Sequence, residues 1–138
     1  MSAKVAYYAG MDIGSAFTKA ALVSRGEMVA QEILPSGGNY RETARMALDA
    51  ALSRAGVRFE DLAGMVVTGI GAESAPFSAR QVSDISCQSK GCLRRFPSAR
   101  TVIDIGGQFT RAARLTPGGK IADFLMSEKC AAGSGRFL

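Results

Sequence analysis

Histidine and tryptophan are absent from the 138 residues, and aromatic residues make up only 7% of them. Without imidazole, proton transfer and metal ligation fall to other groups, so any chemistry runs on carboxylates, lysine, thiols and backbone amides. No window approaches the roughly 18 uncharged apolar residues of a membrane span. The opening Met-Ser-Ala-Lys also lacks the basic and apolar parts of a signal peptide. Neither a membrane nor export is expected, and the expected compartment is the cytoplasm. Cysteine is scarce and odd in number, at Cys87, Cys92 and Cys130. That argues against a disulfide framework and for thiols or metal ligation.

What is present is an ordinary globular mixture, 47% apolar and 21% charged, which excludes disorder as the main state. The length suits about one domain. Seventeen Lys and Arg against twelve Asp and Glu leave a net charge of +5. This suits an anionic ligand, but the charge is spread too evenly for a nucleic-acid footprint.

The chain repeats itself. Asp12-Ile-Gly-Ser-Ala-Phe-Thr-Lys-Ala-Ala21 aligns with Asp104-Ile-Gly-Gly-Gln-Phe-Thr-Arg-Ala-Ala113, seven identities in ten at an offset of 92. Each copy has an apolar run ending at the aspartate, a second strand-like run, a glycine turn (Gly26, or Gly118-Gly119) and a third run. This pattern predicts three antiparallel strands. After the first meander, Asn39 and Glu42 form a capping-box pattern. The stripe Ala44, Ala47, Leu48, Ala51, Leu52 and Ala55 predicts a helix ending at Gly56. The continuous apolar run Gly64-Met-Val-Val-Thr68 predicts a strand buried on both sides. A weaker helical stretch spans about 78–95, with Val82, Ile85 and Leu93 inward. The expectation is a duplicated α/β fold: a first domain over 1–98 and the incomplete start of a second over 99–138. Open strand edges in the second copy read as part of a longer two-domain protein, the alternative being a short chain whose second meander pairs with another chain.

An aspartate at a strand end, followed by glycine and a tight turn, brings a carboxylate and backbone N–H groups to one mouth. That combination holds Mg²⁺ through water and cradles phosphate oxygens. A single Asp-x-Gly is usually only a hairpin turn. Two repeat-related copies facing each other across a cleft would clamp a nucleotide's phosphates. Asp12 and Asp104 are the candidate catalytic carboxylates and Mg²⁺ holders; Gly14, Ser15, Thr18, Lys19, Gly106, Gly107 and Gln108 are the candidate phosphate contacts. Lys19 and Arg111 share a repeat position, and each points either along its hairpin or away from it. The loop Thr68-Gly-Ile-Gly71-Ala72 either lines the same mouth or is a plain strand-to-helix connection. Cys130, beside Lys129 and near Arg136, is placed to be held as thiolate, the form that ligates metal. Cys87 and Cys92 read as structural thiols. The basic patch Lys90, Arg94, Arg95 and Arg100 reads as a solvated helix end.

Five segments together resemble the activator ATPases of 2-hydroxyacyl-CoA dehydratases and the related ATPase subunits of benzoyl-CoA reductase. They are Gly10-Met-Asp-Ile-Gly-Ser15, Val67-Thr-Gly-Ile-Gly71, Ile85-Ser-Cys-Gln-Ser-Lys-Gly91, Thr101-Val-Ile-Asp-Ile-Gly-Gly-Gln108 and Lys129-Cys-Ala-Ala-Gly-Ser-Gly-Arg-Phe-Leu138. The resemblance implies the duplicated ribonuclease H-like fold of actin, sugar kinases and heat-shock chaperone ATPases. It implies ATP/ADP and Mg²⁺ as ligands, and a [4Fe-4S] cluster shared across a homodimer or a pair of similar subunits. Cys130 would be one cluster ligand, the second family cysteine falling downstream of Leu138. It further implies electron transfer from reduced ferredoxin or flavodoxin into an acyl-CoA dehydratase or reductase. Phe109 stands where the family has an acidic residue, Ala16 and Phe17 replace small hydroxyl residues, and Ala72 replaces an arginine. Phe17 and Phe109, being repeat mates, are expected to pack into their meanders. The rival readings are a sugar- or acid-kinase-like phosphotransferase without a cluster, and a catalytically silent subunit that binds a partner ATPase.

Overall fold

A computed structural model describes residues 5–127. The chain divides into two compact units, residues 1–82 and 83–138. In the first, strands β1 (Tyr7–Ile13), β2 (Phe17–Ser24) and β3 (Glu27–Pro35) form an antiparallel meander. Arg25 and Gly26 both take positive φ (53° and 79°), as a two-residue hairpin with the twist of its strands requires. Helix α1 (Tyr40–Ala55) follows, then strand β4 (Leu62–Thr68), parallel to β1, and the short β5 (Arg80–Gln81), parallel to β4. The sheet order is β3-β2-β1-β4-β5.

Helix α1 forms as its sequence dictates. Asn39 accepts a hydrogen bond from the Glu42 backbone N–H at 3.2 Å, and Gly56 ends the helix in the left-handed region at φ 64°. Its buried stripe Ala44, Ala47, Leu48, Ala51 and Leu52 packs on Ala9, Met11, Ile13, Ala20 and Leu22. Burying Leu22 or Leu48 fully contributes about 1.5–3 kcal/mol each relative to exposure. Strand alternation sends Tyr8, Asp12, Phe17 and Lys19 to the opposite face. There Tyr8 and Phe17 are exposed. Strand β4 departs from the expectation of burial on both sides: Val67 and Thr68 are buried, but Ala63 is exposed and Gly64 to Val66 are half-buried.

The second unit holds α2 (Asp84–Arg95) and the antiparallel meander β6 (Thr101–Ile105), β7 (Thr110–Leu115) and β8 (Ile121–Met126). The boundary falls at residues 82 and 83 rather than at 98 and 99. The reason is packing: Ile85, Cys92 and Leu93 of α2 lie against Val102, Ala113 and Leu115. The helix also starts later than the apolar pattern implied, because Arg80 and Gln81 are taken up by β5 and Val82 N–H donates to the Val67 carbonyl. Cys87 and Cys92 are half-buried on α2; Lys90, Arg94, Arg95 and Arg100 are exposed, in keeping with a solvated helix end. No described helix is long and apolar enough to cross a membrane.

Candidate functional site

The two Asp-Gly hairpins have the same local geometry. In the first, Gly14 N–H donates to the Phe17 carbonyl at 3.1 Å; in the second, Gly106 N–H donates to the Phe109 carbonyl at 2.9 Å. A Cβ on Gly14 would lie 2.8 Å from the Phe17 oxygen, and one on Gly106 3.1 Å from the Phe109 oxygen. The tightness of the turn excludes a Cβ at Gly14, while at Gly106 one would need the Phe109 carbonyl to give way by a few tenths of an ångström. Ser15 and Ala16 fill the first turn, and Gly107 and Gln108 the second. The repeat seen in the sequence is thus a repeat of turn geometry.

Strand register settles where the two cations point. Lys19 pairs across the ladder with Asp12 and its Nζ lies 2.7 Å from Asp12 Oδ2. Arg111 pairs with Asp104, with Nη1 3.8 Å from Asp104 Oδ2. Each hairpin therefore carries a carboxylate and a cation on one face.

The loop after β4 belongs to the first mouth. Parallel pairing puts Thr68 beside Asp12, so both strands deliver their carboxyl ends to one place, where ligands gather in open α/β sheets. Gly69 has φ 94°, and a Cβ there would lie 2.5 Å from the Ile13 carbonyl oxygen and 2.7 Å from Asp12 Oδ1. Gly71 N–H donates to the Ile13 carbonyl at 2.9 Å. A Cβ on Gly71 would press on Ile13 and on the Tyr40 ring. The cradle of Gly14, Gly69 and Gly71 around the Asp12 end of β1 is the kind of bare backbone that a phosphate approaches.

Thr18 requires a correction. It is fully buried, opposite Ile13 on the helix-covered face, and its hydroxyl lies 2.8 Å from Ser36 Oγ. Ser36 Oγ in turn donates to the Gly14 carbonyl at 2.5 Å. Thr18 therefore braces the Gly14 turn from beneath instead of reaching into the mouth. Thr18→Val should lower stability by about 0.5–1.5 kcal/mol, the net worth of one hydrogen bond, with nucleotide affinity little changed. Urea unfolding and nucleotide titration check this; a tenfold loss of affinity, about 1.4 kcal/mol, would return Thr18 to the mouth. Ser36 itself escaped the sequence reading, since its neighbours Gly37 and Gly38 mark only a turn.

The expectation for Phe17 and Phe109 also fails: both are exposed, at 46% and 40%. Phe17 faces away from the helix-covered side of its sheet, and Phe109, in the turn before β7, stacks on the Arg111 guanidinium, whose carbon is 5.2 Å from the ring centre. Asp84 was not anticipated either: its Oδ2 accepts from Arg111 Nη1 at 2.6 Å. Cys130 lies outside the described residues. Among the described residues no group of three or more cysteine and carboxylate side chains is placed to hold a metal ion.

The chain is 44% identical over 133 residues to the activator of lactoyl-CoA dehydratase from Anaerotignum propionicum, covering 96% of this chain and 51% of that protein. It is 30% identical over 135 residues to one of the benzoyl-CoA reductase subunits from Thauera aromatica, covering 94% and 48%. The solved structure of the activator of the 2-hydroxyisocaproyl-CoA dehydratase from Clostridium difficile, with bound ADPNP, matches with a TM-score of 0.84 at 36% identity, over 95% of this chain and 49% of that one. The chain thus spans about half the length of the relatives it matches, and its fold is that of the actin and sugar-kinase ATPases. Matched by the family's sequence model over residues 9–138, the chain belongs to the BadF/BadG/BcrA/BcrD ATPase family.

Proposed function

We propose that the protein is an ATP-hydrolysing iron–sulfur activator that drives low-potential electrons into a 2-hydroxyacyl-CoA dehydratase or a benzoyl-CoA reductase-type enzyme. The observation that carries the nucleotide half is the pair of hairpins with matching turns, each with a carboxylate and a cation on one face. Asp12 and Asp104 hold Mg²⁺ through water, and Asp104 orients the attacking water. Gly14, Ser15, Gly106, Gly107 and Gln108 offer turn amides and side chains to the phosphates, and Lys19 offers its charge. Thr18 serves only as a brace.

The iron–sulfur half is supported by Cys130 in Lys-Cys-Ala-Ala-Gly-Ser-Gly-Arg-Phe-Leu138 and by relatives named as dehydratase activators. A [4Fe-4S] cluster shared by a homodimer, or by two similar subunits, would supply the one-electron carrier between ferredoxin or flavodoxin and the acyl-CoA enzyme in the cytoplasm. Iron and sulfide analysis of the full gene product, purified without oxygen, tests this. About four irons per dimer are expected, and Cys130→Ser should lose them and the visible absorbance while still binding nucleotide. Iron retained in that variant would clear Cys130 of the role, and iron-free wild-type protein would hand the assignment to a kinase-like phosphotransferase.

A further inference from the structure

The two repeat-related carboxylates are not paired alike, and the difference comes from a residue outside both hairpins. In the first unit Lys19 lies 2.7 Å from Asp12 and neutralises it directly. In the second, Arg111 stands at the same repeat position but gives its short contact, 2.6 Å, to Asp84 in the first turn of α2. Asp104 is left at 3.8 Å. The side chains of Arg111, Asp84 and Asp104 are only 16%, 27% and 23% exposed, so their pairing is screened less than a surface pair would be. The Phe109 ring holds the guanidinium by a cation–π contact as well.

We propose that Asp84 is a positioning residue that keeps Arg111 from closing on Asp104, so that the Asp104 oxygens stay available to water and Mg²⁺. The inference rests on the hydrolytic reading above. One guanidinium between two carboxylates goes to whichever holds it better. If the Asp84 charge is removed, Arg111 closes from 3.8 Å to the about 2.8 Å of a charge-assisted hydrogen bond, and the Asp104 oxygens are occupied by its donors. Charge at Asp84 thus sets how much of the Asp104 carboxylate is left for the reaction.

The test is ATP hydrolysis by the full gene product. Asp84→Asn should lower kcat by about tenfold, a partial loss of the roughly 10²–10⁴-fold that a positioned general base contributes, while the KM for ATP stays close to the wild-type value. Asp84→Glu should retain most of the rate. The decisive comparison uses Arg111→Met: with the guanidinium gone, adding Asp84→Asn should cause no further loss, and the double variant should be faster than Asp84→Asn alone. A double variant as slow as Asp84→Asn, or a single Asp84→Asn with wild-type kcat, overturns the inference. If instead the wild-type protein does not hydrolyse ATP, or Asp104→Ala leaves turnover intact, the hydrolytic reading itself has failed.

Discussion

Asp104→Ala in the full gene product lowers ATP turnover by about 10²–10⁴-fold, the range for loss of a positioned general base, while nucleotide still binds. The expectation follows from three features of the position. Asp104 precedes the last residue of β6, immediately before the glycine turn, so strand and turn fix its carboxylate on one face. Its cross-strand cation is committed mainly to Asp84, which leaves its oxygens less occupied than those of Asp12. It is also mostly shielded, where a charge aimed at a reacting water acts more strongly than it would in bulk solvent. Steady-state phosphate release, with nucleotide binding measured separately, checks the result. Turnover within a few-fold of wild type would remove Asp104 from the chemistry and leave Asp12 as the working carboxylate. Removing Asp12, whose oxygen is bonded to Lys19, should hurt binding as well as turnover, because Lys19 would lose the partner that aims it.

Gly69→Ala is the second substitution with a large expected effect, and it acts on fold and site together. At φ 94° an L side chain costs about 1–3 kcal/mol from backbone strain alone. The added Cβ would also sit 2.5 Å from the Ile13 carbonyl and 2.7 Å from the Asp12 carboxylate. Since the Ile13 carbonyl also receives Gly71 N–H, the end of β1 cannot yield without loosening the loop that follows β4. Urea unfolding of the 138-residue chain should show the lost stability, and nucleotide titration of the full gene product should show weakened binding. Unchanged affinity in a destabilised protein would separate this loop from the phosphate site. A variant as stable as wild type would contradict the close approach itself.

How much of this was legible beforehand depends on the range of the interactions involved. The hairpin repeat, the Asn39 cap, the Gly56 stop and the buried stripe of α1 are short-range features, because turns, caps and helical period act over a few residues. Strand alternation would also have put Phe17 on the face opposite Thr18, yet its being a repeat mate of Phe109 pointed toward burial, and exposure decided against that. The two hydroxyls Thr18 and Ser36 are 18 residues apart. Only the pairing of β2 with β3 and the turn into α1 make them partners beneath Gly14.

The sequence by itself determined the family, the duplicated Asp-Gly turns and the first helix, since each is carried by motif, turn chemistry or periodicity within a short stretch. The tertiary structure alone decided which carboxylate each cation serves, that Thr18 lies buried against Ser36 beneath the Gly14 turn, and that α2 groups with the second meander. The physical reason is sequence distance. Asp84 and Arg111 are 27 residues apart, and no local pattern reports a contact that exists only once the helix has packed against its strands.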